Sequence, residues 1–112
     1  MRAPTLNTSE QLWAELWVSL ASLLRSYTAV HGLSGNRQAA IDCDDEGIVA
    51  RHDDKWLELQ RCGAQVDWKR EDGSRGTLEL TDTGRLRSSS GEEEMDLAAE
   101  SWARDLMRES QQ

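Results

Sequence analysis

Phenylalanine is missing from the 112 residues and cysteine occurs only twice, while tryptophan occurs five times. Cys43 and Cys62 form no CxxC and have no second pair, so a structural zinc site lacks its ligands and a reducing, cytoplasmic setting is expected. Basic residues are also few. The 13 Lys and Arg stand against 21 Asp and Glu, a net charge of −8, which is the wrong sign for neutralising a phosphate backbone. Nucleic acid is therefore not an expected partner. No long apolar run is present either: the opening "MRAPTLNTSE" has no apolar core, and the segment after it is interrupted by Glu15, Arg25 and several serines. It reads as neither an export signal nor a membrane span, so no membrane partner is expected. The glycines of "DGSRG" at 72–76 lack the Lys-Ser/Thr pair of a phosphate-binding loop, and a turn explains them.

What the chain does have is helical period at both ends. From Glu10 to about His31, Leu12, Trp13, Leu16, Trp17, Leu20, Leu23, Leu24 and Tyr27 fall on one side. At ~100° per residue they span an arc of about 140°, wide enough to touch more than one neighbour. Thr8 followed by Gln11 suits a capping box, and Gly32 supplies the stop. A second helix is expected from about Glu92 to Glu109, with Met95, Ala98, Ala99, Trp102, Ala103 and Leu106 as its narrower stripe and Ser90 with Glu93 as its capping box. Residues 1–112 read as one domain, with 1–8 and 110–112 as flexible tails.

Between the helices the period changes to two. Ala39, Ile41 and Cys43, then Ile48 and Ala50, Leu57 and Leu59, Val66 and Trp68, Leu78 and Leu80 alternate with polar residues and are separated by Asp- and Gly-rich breaks. Two-residue turns at Asp45-Glu46, Asp53-Asp54 and Gly63-Ala64 set 43 opposite 48, 50 opposite 57 and 59 opposite 68. A three-residue loop at 72–74 then sets Trp68 opposite Leu78 and Val66 opposite Leu80. All apolar residues share one face, which a slip of one residue would destroy. The expected fold is α+β: a two-layer α/β sandwich with an N-terminal helix, a five-stranded antiparallel meander and a C-terminal helix, both helices on one face.

The stretch "DCDDEGIVARHD", Asp42 to Asp53, has the acidic spacing of a calcium loop of the EF-hand type. A strand on each side replaces the helices such a loop needs, and ~3.3 Å per residue separates Asp53 from Glu46 by roughly 23 Å. An acidic hairpin turn is the expected structure, and Asp42, Asp44, Asp45 and Glu46 remain as the alternative site for a hard cation. The order helix, antiparallel meander, helix, with "IDCDDEG" after a helix bearing "QLW", resembles the frataxin family. That resemblance implies weak iron binding through carboxylates of the first helix, here Glu10 and Glu15, and of the first strand edge, and docking on the iron-sulfur assembly machinery through the sheet. The family's Asn-Arg-Gln and Gln-Trp sheet motif is not matched in "LQRCGAQVDWK".

Catalytic groups do not converge. The register puts His52 about 13 Å along the strands from Cys43, Cys62 faces away from Cys43, and no disulfide between the cysteines is expected. His31 stands at a helix end, where its charge favours the dipole. The polar side of the sheet carries one conspicuous apolar residue, Trp56, with Arg51 opposite it at cation-π distance. Val49, Arg51, Trp56, Glu58 and Lys69 therefore form the expected partner-binding surface, since Trp and Arg dominate interface hot spots. Val18, roughly 100° from the edge of the first helix's main stripe, offers a second route to self-association. The sequence reads as a small, acidic, non-enzymatic binding or regulatory domain without cofactors, acting on a protein partner or as a homodimer; the alternative is a frataxin-like iron-binding protein.

Overall fold

The long apolar stripe near the N-terminus forms α1, Pro4–Gly32. The computed structural model describes residues 4–33 and 38–108, with side chains from Glu10 onward in those ranges. Proline at the first helical position lacks only an N–H that would have no intrahelical partner, and the helix thus starts inside the stretch expected as a tail, one turn before Thr8. Trp17, Leu20, Ala21 and Leu24 are buried, flanked by half-buried Trp13, Leu16, Leu23 and Tyr27. The buried Thr28 hydroxyl donates to the Leu24 carbonyl at 2.8 Å, so it carries no unmet polar group into the interior. The breadth of the stripe serves two neighbours, the first strand and the second helix.

The sheet has seven strands, all antiparallel and all in chain order: β1 Ala40–Cys43, β2 Gly47–His52, β3 Lys55–Cys62, β4 Gln65–Arg70, β5 Arg75–Leu80, β6 Arg85–Ser88 and β7 Gly91–Glu94. The first three hairpins keep the expected register, with Cys43 opposite Ile48, Ala50 opposite Leu57 and Leu59 opposite Trp68. The fourth is displaced by two residues: Trp68 faces Gly76 and Val66 faces Leu78. Its three-residue loop is Glu71-Asp72-Gly73, closed by Arg70 N donating to Ser74 O at 2.9 Å. Gly73 has φ +90°, the left-handed value that the last residue of such a loop requires. The β5–β6 loop repeats the design with Gly84 at φ +81°. A displacement of two leaves every side chain on its expected face.

The two further strands occupy the segment expected to be a connection and a helix start. Ser88 pairs with Gly91 across a two-residue turn, so Ser90 and Glu93 form no capping box. The second helix, α2, runs over Met95–Met107, and Glu94 caps it without a side-chain hydrogen bond. Met95, Ala98, Ala99 and Leu106 of α2 join Ile48, Ala50, Leu57, Leu59, Val66, Leu80 and Leu86 of the sheet and Trp17, Leu20 and Leu24 of α1 in one core. The helices lie on one face and against each other: Tyr27 donates to Asp96 at 2.7 Å and His31 lies 3.0 Å from Glu100. The two-layer sandwich is as expected, with a wider sheet. No described helix is long and apolar enough to cross a membrane.

Candidate functional site

The outer face of the sheet carries no helix, and the register decides which of its side chains meet. Val49 stands opposite Glu58 and Glu58 opposite Lys69, while Arg51 stands opposite Trp56. The five residues expected to bind a partner thus form one continuous patch over β2, β3 and β4. Glu58 and Lys69 are 3.6 Å apart and satisfy one another. Farther along, Arg87 pairs with Glu79 and Glu92, and Arg85 with Glu94, so most of the face is internally neutralised. Arg51 is exposed and makes no ion pair among the described residues. Trp56 is half-buried, and its backbone N–H donates to the Glu71 carboxylate at 3.1 Å. The corner Val49–Arg51–Trp56 therefore combines apolar area with an unpaired cation.

The acidic turn has a different task. Asp44 accepts hydrogen bonds from Glu46 N at 3.0 Å and Gly47 N at 2.6 Å, an Asx turn that closes the hairpin. The three carbonyls of the turn each accept a hydrogen bond from the protein. Trp17 Nε1 donates to Asp44 O at 3.0 Å, Arg61 Nη2 to Asp45 O at 3.0 Å, and Arg61 N to Glu46 O at 2.7 Å. A hard cation in such a loop needs carboxylate and carbonyl oxygens aimed at one point, and here the Asp44 carboxylate and the three turn carbonyls are committed to protein donors. Among the described residues no group of three or more His, Cys, Asp or Glu is placed to hold a metal ion.

Arg61 is the residue that the sequence reading passed over. It follows Leu57 and Leu59 in the inward alternation of β3 and is buried, with 6% of its surface exposed. Its guanidinium also donates to Gly63 O at 3.0 Å, reaches Glu10 of α1 at 3.0 Å and lies 6.0 Å from the Trp17 ring centroid. One side chain thereby ties two hairpin turns to α1. A charged residue at an inward position of an otherwise apolar alternation is the signal that could have found it.

The nucleophiles and bases stay apart, as the strand arithmetic implied. Cys43 is half-buried and faces the core side, and burial raises its thiol above the ordinary pKa. Cys62 is exposed, pairs with Gln65 at the β3–β4 turn, and both cysteines are free. His52 is buried at the end of β2, 3.9 Å from Asp53. On the helix side of the sheet, a groove of about 420 Å³ opens between α2 and strands β4 to β7. Leu78, Leu86 and Ala98 form its apolar floor, and half-buried Trp68 and Trp102 stand in its walls. Gly76 allows Trp68 this position: a Cβ there would lie 2.8 Å from Trp68 Nε1.

No family model matches the chain, and neither the curated proteins nor the solved structures contain a significant match to it.

Proposed function

We propose that this chain is a non-enzymatic protein-binding module that contacts its partner, another polypeptide or a second copy, through the outer face of the sheet around Trp56. The observation that supports this is the adjacency of Val49, Arg51 and Trp56 on a face without a helix, where neighbouring charges are mutually paired and Arg51 is not. A partner that covers this corner gains the burial of an indole and offers a carboxylate to the guanidinium, the combination typical of interface hot spots. Val18, 58% exposed on α1, offers a second apolar contact for self-association. The frataxin-like iron-binding alternative is not adopted, because Asp44 and the carbonyls of the acidic turn already have protein donors.

Native mass spectrometry of the protein isolated gently from its own cells tests the reading. The expected result is a species carrying a second polypeptide or a second copy, which Trp56→Ala abolishes while keeping the unfolding transition within ~1 kcal/mol of the parent. A bare monomer from the parent protein, or a Trp56→Ala variant that no longer folds, overturns it.

A further inference from the structure

The groove on the helix side of the sheet has a chemistry of its own and lies opposite the Trp56 face, so it does not rest on the reading above. Its described lining includes two indoles, Trp68 and Trp102, and two carboxylates, Glu92 and Glu93, with no Lys, Arg or His among them. Glu92 is already engaged, 3.1 Å from Arg87 and 3.8 Å from Arg85. Glu93 is not. Strand alternation turns Glu92 and Glu94 to the arginines of the outer face, and Glu93 opposite Leu86 to the groove side. There its side chain has no ion pair or hydrogen bond among the described residues. An unpaired carboxylate beside two indoles over an apolar floor is complementary to one kind of ligand, a positive group with an apolar surround. The ring quadrupoles and the carboxylate attract the charge, and the floor takes up the alkyl part.

We propose that this groove is a binding site for an alkylammonium group presented by a partner polypeptide, a lysine side chain with the methylated form favoured. Methylation keeps the charge and makes the head group larger and less strongly hydrated, so less is lost when it leaves water for the indoles. The volume of about 420 Å³ accommodates one such side chain, near the lower end of ordinary ligand sites. Ser101 in the lining supplies a hydroxyl for the flanking peptide backbone, while Ser88 and Ser90 hydrogen-bond to each other at 2.9 Å.

The test is titration of the full chain with N-acetyl-trimethyllysine methylamide, followed by the indole N–H resonances of the tryptophans. These are assigned with single Trp→Phe variants. A neutral analogue with a tert-butyl group in place of the trimethylammonium is the control. The expected result is that Trp68 and Trp102 signals move with a dissociation constant of about 1–10 mM, typical of a ligand this small. The neutral analogue and the Glu93→Gln variant should each bind about 2- to 5-fold more weakly, and Trp102→Leu by a similar factor. Glu93 is exposed on an edge strand, so its replacement tests charge without endangering the fold. Equal binding of the neutral analogue reduces the groove to an apolar crevice and overturns the proposal. So does an absence of shifts at ~50 mM ligand, or shifts confined to Trp56.

Discussion

Replacing Gly76 with alanine sets two physical effects against each other. Glycine inside a strand is less favourable than alanine by roughly 0.5–1 kcal/mol through backbone entropy, and Gly76 does not adopt a left-handed φ that would forbid the change. On backbone grounds alone the variant gains stability. The added methyl, however, would lie 2.8 Å from Trp68 Nε1 and 3.0 Å from Cε2 and Cζ2. Those atoms belong to a rigid indole packed against the core cluster, and moving it disturbs the neighbours it leans on. Overpacking costs about 1–3 kcal/mol, and against a rigid indole the upper half of that range applies, so the net result is a loss of about 1–2.5 kcal/mol. In a domain near this size that lowers Tm by roughly 4–10 °C. The assay is urea unfolding of the parent, Gly76→Ala, Trp68→Leu and the double variant. With the indole removed the three atoms nearest the methyl are gone, and Gly76→Ala should then be neutral or stabilising, a coupling of at least ~1 kcal/mol. A Gly76→Ala protein as stable as its parent, or additive effects in the cycle, would refute the claim that Trp68 is seated over Gly76.

Three further outcomes follow from contacts described above. Arg61→Met should lose ~3 kcal/mol or more in urea unfolding, because the carbonyls of Asp45 and Gly63 lose a charged donor; Glu10→Gln should lose under ~1 kcal/mol, since Glu10 is 59% exposed. Tyr27 is the single tyrosine, so its ionisation is read directly at 295 nm. Its hydrogen bond to Asp96 raises the pKa above the ordinary value, with burial and the charges of Asp96 and Glu100 adding to the rise. The contact therefore stabilises fully below the unfolded pKa and is lost as pH rises through the folded one, and Asp96→Asn should move the titration down; an unchanged midpoint would show that the bond is absent. Alkylation with iodoacetamide at neutral pH should modify exposed Cys62 well before Cys43, whose thiol is raised by burial. Equal rates read by peptide mapping would contradict the placement of Cys43.

Much of the fold was legible because β-hairpins encode their own register. The pairings of Cys43 with Ile48, Ala50 with Leu57 and Leu59 with Trp68 follow from turn positions alone, since a slip of one residue would have turned Ile48, Leu57 or Leu59 to water. The fourth hairpin escaped because two registers differing by two residues bury the same side chains. What separates them is the left-handed conformation of Gly73 and the fit of Gly76 under an indole, and neither shows in an apolar pattern. Strands β6 and β7 escaped for another reason. Only Leu86 among their eight residues is an inward apolar side chain, and "GEEE" is exposed throughout, so period two has nothing to act on. Serine followed by acids before an apolar stripe also imitates a helix start. The adjacency of Val49, Arg51, Trp56, Glu58 and Lys69 was legible through the same pairing that gave the sheet. Glu93 and the groove were not, because a carboxylate facing inward on an edge strand appears only once that strand is recognised.

Every strand of the sheet pairs with its neighbour in the chain, and the turns between them are short. Hairpins of this kind close within microseconds, since little loop entropy opposes them. The helices have no such advantage: Tyr27 and Asp96, like His31 and Glu100, are 69 residues apart in the chain and meet only when the whole meander lies between them. The sheet can zip progressively from either end, whereas the helix pair closes once and joins the two ends of the fold. That pair acts as the clasp of the molecule, and its opening would expose the apolar face of all the strands at once.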